Sequence, residues 1–131
     1  MKRRTAAVIV ALGAAFPALA HHSFAMFDQA KTLTLTGTVK EFQWTNPHIF
    51  VQLMVKDMNS EKEWSIEFIS VSSARRLGWR RDVIKPGDKV IVDLHPLRDG
   101  SPGGSLLAMV MPSGEVMGQR PASAGVTAAP K

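Results

Sequence analysis

Residues 32–57 read TLTLTGTVKEFQWTNPHIFVQLMVKD, and this stretch decides the fold. Apolar residues or glycine alternate with threonines over residues 33–39, and the alternation slips by one residue at Lys40–Glu41. A period of two predicts a strand with one buried face, and the slip predicts a β-bulge within it. A Thr-Asn-Pro turn at residues 45–47 follows, and the alternation resumes over residues 49–55. The stretch therefore predicts a long, bent first strand followed by an antiparallel second strand.

The rest of the chain predicts three more strands and one helix. The elements are a third strand at 64–68, a helix at 70–76 that stops at Gly78, a fourth strand at 90–94 and a fifth strand at 106–111. A polar loop at residues 57–62 precedes the third strand, and a long loop at residues 95–105 connects the fourth and fifth strands. An all-β domain with one short helix, in the order β-β-β-α-β-β, is the element order of an OB-fold, a small five-stranded barrel. An antiparallel sandwich or an unclosed meander fits the same pattern.

The first 20 residues, 1–20, have the composition of a secretory signal peptide. A basic start and a short apolar segment precede Ala18–Ala20, the small-x-small pattern that signal peptidase prefers. A second cut after Ala25 would lie farther from the apolar segment than such signals usually allow. We therefore expect a periplasmic or secreted protein whose mature chain begins at His21.

The mature chain is long enough for one domain. We predict an N-terminal arm at residues 21–31, an OB-like β domain at residues 32–117 and a disordered tail rich in Ala, Pro, Ser and Gly at residues 118–131. Removing the three basic residues of the signal lowers the formal net charge from +5 to +2, which argues against nucleic-acid binding. The chain has no cysteine, which excludes disulfides, thiolate zinc sites and cysteine nucleophiles. No apolar run is long enough to predict a membrane span in the mature form.

The four histidines predict a metal site. His21 and His22 open the mature chain, while His48 and His95 belong to the two loops that share the binding rim of an OB-fold. A terminal histidine can chelate one ion through its α-amine and its imidazole, and a further imidazole completes a site that suits copper. In the alternative interpretation, the first two histidines form a polar terminus and the other two are ordinary loop residues. Methionines 54, 58, 109 and 111 offer a softer site for Cu(I), although methionine in strands is usually core.

A second set of residues predicts a metal-free binding module. Stacking aromatic and cationic side chains on a polar rim would suit an oligosaccharide, a lipid-linked molecule or a periplasmic partner protein; the residues are Trp44, Asn46, Phe50, Arg75, Arg76, Trp79, Arg80 and Arg81. The alternative is that the arginines complement the dipole of the helix and Trp79 packs on the barrel. No nucleophile elbow and no tuned pair of acids occurs, so we do not predict an enzyme.

Four segments resemble a family of small exported bacterial proteins classed as a domain of unknown function. They are AHHSFAMFD at residues 20–28, LTGTVKEFQWTNPHIF at residues 35–50, LGWRRDVIKPGD at residues 77–88 and HPLRDGSPGG at residues 95–104. The resemblance covers nearly all of the mature domain and omits the tail. It implies a one-domain periplasmic or secreted protein, and it implies no activity or ligand.

Overall fold

A computed structural model describes residues 24–122 and residue 124. The signal peptide, His21, His22 and most of the tail that we predict to be disordered lie outside the described residues. The described part forms six strands and one helix: β1 (Leu33–Gln43), β2 (Phe50–Asp57), β3 (Ser60–Glu67), α1 (Val71–Arg76), β4 (Lys89–Pro96), β5 (Gly103–Val110) and β6 (Val116–Gly118).

The sheet closes into a five-stranded barrel with β6 added at its edge. The strand order is β3-β2-β1-β4-β5-β6, and β3 also pairs in parallel with β5. This closing pair, together with α1 between β3 and β4, confirms the predicted OB-like architecture. The sandwich and the open meander are wrong, because neither contains the pairing of β3 with β5.

Strand β1 is bent because it pairs with two different strands. Its first half pairs with β4 and its second half with β2, and the register shifts between Val39 and Glu41, where the sequence predicts the bulge. Gly37 lies where β1 crosses close to β2. A Cβ atom there would lie 2.7 Å from both Leu53 Cγ and the Met54 carbonyl oxygen, so this crossing requires glycine.

The barrel interior is filled by the apolar residues that alternate along the strands. Its largest fully buried apolar side chains are Trp79, Ile49, Leu53, Ile66, Leu94, Met109, Val39, Val51, Val90 and Val92. Met109 and Met111 are buried in the core, at 0 % and 4 % exposure, whereas Met54 on β2 is half-buried and Met58 is 94 % exposed at the tip of the β2–β3 hairpin. Met109 and Met111 therefore lie inside the core, apart from Met58.

Helix α1 begins and ends as its sequence predicts. The Ser70 hydroxyl accepts a hydrogen bond from the Ser73 backbone N–H and caps the first turn. Gly78 follows the helix with φ +86°, and Trp79 N–H donates to the Ala74 carbonyl in a Schellman closure. This closure turns the chain so that Trp79 packs into the core, with its ring 4.9 Å from that of Phe68.

The predicted loops and the predicted C-terminal boundary need correction. The loop at residues 95–105 is shorter, because His95 and Pro96 still pair with Ser105 and Gly104 at the ends of β4 and β5. The polar residues from Ser60 onward belong to β3 rather than to a loop. The domain also continues past residue 117, since β6 ends at Gly118 and Arg120 binds Asp93 of β4.

Candidate functional site

The N-terminal arm folds back over one end of the barrel. Asp28 N–H donates to the Pro96 carbonyl at 2.8 Å, and Arg98 N–H donates to the Met26 carbonyl at 2.9 Å. Phe27 forms a β-bridge with Leu97 and is 3 % exposed. The arm is therefore fixed by backbone hydrogen bonds and by one buried aromatic ring.

The arm also contains an internal ion pair at its second turn. The Asp28 carboxylate forms an ion pair with Lys31 at 3.1 Å and accepts a hydrogen bond from Ala30 N–H. The hydrogen bond from the Lys31 side chain is the main cause that holds the pKa of Asp28 below its ordinary value. This carboxylate is therefore ionised throughout the neutral range.

His48 lies in a small cavity beside the first described residues. Its Nδ1 atom contacts a carboxylate oxygen of Glu67, the last residue of β3. The cavity has a volume of about 90 Å³, and its other lining residues are Phe24, Phe27, Phe68, Ile69, Ser105 and Leu106. Because an ionised carboxylate only accepts hydrogen bonds, the contact places a proton on Nδ1 and leaves the Nε2 atom available as a ligand when the ring is neutral.

His95 lies in the adjacent groove, with its Nδ1 atom 2.7 Å from the Lys31 carbonyl oxygen. A carbonyl oxygen also accepts only, so this ring too carries its proton on Nδ1. The groove shares Phe68 and Leu106 with the cavity of His48. The two histidines thus lie on one region of the barrel, in neighbouring depressions rather than in the same one.

The described residues do not contain a complete metal site. No group of three or more His, Cys, Asp and Glu side chains that could hold an ion occurs within residues 24–122 and 124. His48 and Glu67 form a pair, and any further ligands would come from His21 and His22, outside the described residues. Phe24 lines the His48 cavity, and His21 precedes Phe24 by three residues, a separation of at most about 10 Å in an extended chain.

The aromatic and amide residues proposed for a metal-free rim are mostly structural. Trp79 is 1 % exposed and Trp44 is 7 % exposed, so both rings contribute mainly to the core. Asn46 is exposed, and its side-chain oxygen accepts a hydrogen bond from Val71 N–H at the start of α1. Phe50 is half-buried on β2. Trp44 also lines a surface depression with Phe42 and Arg81, so a ligand on this rim stays a prediction.

The four arginines of this region do not converge on one ligand. Arg76 donates to the Ser73 hydroxyl, and Arg80 pairs with Asp82 at 3.3 Å. The hydrogen bond from Arg80 is also the main cause of the lowered pKa of Asp82. Arg75 and Arg81 are exposed, and neither side chain forms a hydrogen bond or an ion pair with the described residues.

Glu67 is the site residue that sequence reasoning missed. Its alternation with Ile66 is typical of a solvated strand face, which hides its role. The hairpin register supplies the missing signal. Since Asp57 pairs with Ser60, counting back along both strands pairs Phe50 with Glu67 and brings Glu67 near His48, two residues before Phe50.

The comparisons with known proteins concern the fold and the family. Two crystal forms of the mitochondrial single-stranded DNA binding protein Rim1 from S. cerevisiae superpose on this chain with a TM-score of 0.48 each. The first is 10 % identical and covers 62 % of this chain and 92 % of that one; the second is 8 % identical and covers 70 % and 98 %. No curated protein matches the sequence. In the part of the chain that the structure describes, no helix is long and apolar enough to cross a membrane.

The family assignment rests on the sequence itself. A family model matches residues 8–106, which include the arm, α1, the first four strands and the start of β5. The match contains both His48 and His95 together with Glu67, and it ends before β6. The chain belongs to DUF6152, a family of unknown function.

Proposed function

We propose that this protein is an exported, non-enzymatic metal carrier or sensor that binds copper through its mature N-terminus and His48. The proposal rests on the position of Phe24 in the cavity that contains His48 and Glu67. A chain that begins at His21 would start three residues before Phe24, and backbone hydrogen bonds hold the described part of the arm against the barrel. The periplasmic or secreted location is part of the proposal, because the site requires cleavage after Ala20.

The chemistry of the proposed site favours copper. The α-amine and the imidazole of His21 would supply two nitrogen ligands, and His48 Nε2 would supply a third. Glu67 would accept a hydrogen bond from the Nδ1–H group of His48, and this hydrogen bond fixes a metal-binding imidazole in the correct tautomer. Because the amine and the imidazoles bind metal only when unprotonated, copper affinity falls as the solution is acidified.

His22 and His95 have secondary places in this proposal. His22 follows His21 directly and can add an imidazole to the same ion. His95 is held by the Lys31 carbonyl in the adjacent groove, so it is the matched comparison for His48. Both rim histidines have an oxygen partner on Nδ1, but only His48 shares its cavity with Phe24.

The first experiment determines the mature terminus and the bound metal together. Native mass spectrometry of the protein purified from the periplasm should give a chain that begins at His21 with one copper ion. Cu(II) titration should then show that His48→Ala binds at least about tenfold more weakly than wild type, while His95→Ala stays within about twofold. A chain that keeps Ala20 ahead of His21 lacks the terminal chelate and should lose tight binding as well.

Two results would contradict the proposal of a copper site. A mature chain that starts at Met26 would remove His21 and His22 from the protein altogether. Equal copper affinity in wild type and His48→Ala would show that the N-terminal peptide binds the ion without the barrel.

A further inference from the structure

An apolar groove with a volume of about 700 Å³ lies beside the proposed metal site. The end of α1, the middle of β5 and the segment after β6 form its walls; its lining residues are Thr32, Phe68, Leu77, Trp79, His95, Leu106, Leu107, Gly118, Gln119, Arg120 and Pro121. The volume falls within the range of small-molecule sites, about 300–1,000 Å³. At its edge, Leu77 is 65 % exposed, which leaves a large apolar side chain in contact with water.

The wall formed by the C-terminal segment is fixed to the barrel. Gln119 N–H donates to the Leu107 carbonyl, and Arg120 Nε donates to Asp93 at 2.7 Å. The opposite wall is fixed by the Schellman closure of α1, which sets the position of Leu77. The groove is therefore formed between two anchored segments.

The charged side chains of α1 at the open edge of the groove are both arginines. Its lining contains a histidine and an arginine and no carboxylate. Asp93, the buried acid of β4, is hydrogen-bonded to Arg120 and Thr34, so the charges of Asp93 and Arg120 offset each other and the attraction for an anion has to come from outside the lining. Arg75 and Arg76, both exposed, directly precede Leu77 at the open edge.

From this combination we propose that the groove binds a small anionic amphiphile, a molecule with a short acyl chain or aromatic body and one carboxylate. The apolar body would lie against Leu106, Leu107 and the Phe68 ring, where its burial supplies the affinity. The carboxylate would lie toward Arg75 and Arg76 at the end of α1. This ligand is separate from copper and does not require His21.

Calorimetric titration with decanoate, below its micelle concentration and with EDTA present, tests the proposal independently of metal. We expect one decanoate per chain, and we expect decyltrimethylammonium, which has the same chain length and the opposite charge, to bind at least about tenfold more weakly. Amide NMR shifts should change at Leu106, Leu107 and Gly118 on titration. Failure of decanoate to bind, or equal binding of the two amphiphiles, would overturn the proposal.

Two matched substitutions locate the site. Leu77→Asp places a carboxylate at the edge of the groove and should weaken decanoate binding at least about tenfold. Met58→Asp makes the same change at a 94 % exposed position on the hairpin tip and should leave binding within about twofold. Unchanged binding in Leu77→Asp would place the ligand elsewhere. A lower oligomeric mass for Leu77→Asp than for wild type would show that a second copy covers the groove, and it would also overturn the proposal.

Discussion

Asp93 is the residue on which the C-terminal segment depends. It is the one buried charged side chain of the described residues, at 1 % exposure, although it points away from the apolar interior formed by Val92 and Leu94. The Thr34 hydroxyl donates to it at 2.6 Å, and Arg120 donates through Nε and Nη2. The hydrogen bond to Asp93 raises the pKa of Arg120, so its guanidinium group stays charged over the whole working range of pH.

Arg120→Ala should lower the free energy of unfolding by about 3 kcal/mol, because it leaves a buried carboxylate without its counter-ion. Urea unfolding followed by circular dichroism measures the change. Arg75→Ala is the control, since that side chain is exposed, and it should change stability by less than about 0.5 kcal/mol. If Arg120→Ala costs less than about 1 kcal/mol, the ion pair does not hold the segment in place.

At the level of elements, the arm is a short unit that can detach while the barrel stays folded. Phe27→Ala should release it, because the single buried ring of the arm is lost while the barrel core keeps every contact of its own. Hydrogen exchange of the Asp28 and Arg98 amides, whose acceptors join the arm to the end of β4, should become at least about tenfold faster. Amides of β2 should be unaffected.

The control for this release is Met26→Ala, which removes an arm side chain that is 46 % exposed. Its Asp28 and Arg98 amides should exchange at the wild-type rate. Equally faster amide exchange in both variants would mean that Phe27 contributes no more to holding the arm than the exposed Met26 side chain does.

The elements that the sequence predicts well are those with one buried face. Alternation gives β1, its bulge and β2, because every second residue must be apolar to fill the barrel. The ends of β4 and β5 are hidden, because Pro96, Gly103 and Gly104 pair through their backbones and have no apolar side chain to reveal the pairing. Strand β6 has three residues, too few for any periodicity to show.

The site is only partly readable from the sequence for a different reason. Histidine is rare in this chain, so His48 and His95 stand out as soon as the fold assigns their loops to one rim. Glu67 does not, because acids are common on strand surfaces and only the pairing register brings it to His48. Tryptophan fills cores and binding faces alike, so the burial of Trp44 and Trp79 follows from packing that the sequence does not encode locally.

For the whole molecule, the charge balance predicts weak attraction for nucleic acid. Residues 21–131 have a formal net charge of +2, and among the described arginines Arg80 pairs with Asp82 and Arg120 with Asp93. Counterion release, the main source of non-specific affinity for DNA, needs many unpaired cations on one face. Fluorescence anisotropy with a labelled oligothymidine at 0.15 M salt should therefore give a dissociation constant weaker than about 100 µM.

The control for this measurement is a second titration at a salt concentration above 0.15 M. Binding that is tight at 0.15 M and falls steeply as salt is raised would contradict the prediction and would place an unrecognised cationic track on the barrel.

The backbone hydrogen bonds of the arm impose an order in time. The partners of each contact lie far apart in the chain. The Arg98 side chain donates to the Ala25 carbonyl across 73 residues, and Asp28 N–H donates to the Pro96 carbonyl. Translation delivers the N-terminus first, yet these residues have nowhere to dock until the chain has been made as far as residue 98. The N-terminal arm is thus made before the barrel but becomes ordered only after β4 has been made. An unfinished chain lacks the docked arm, so the proposed copper site would require the completed protein.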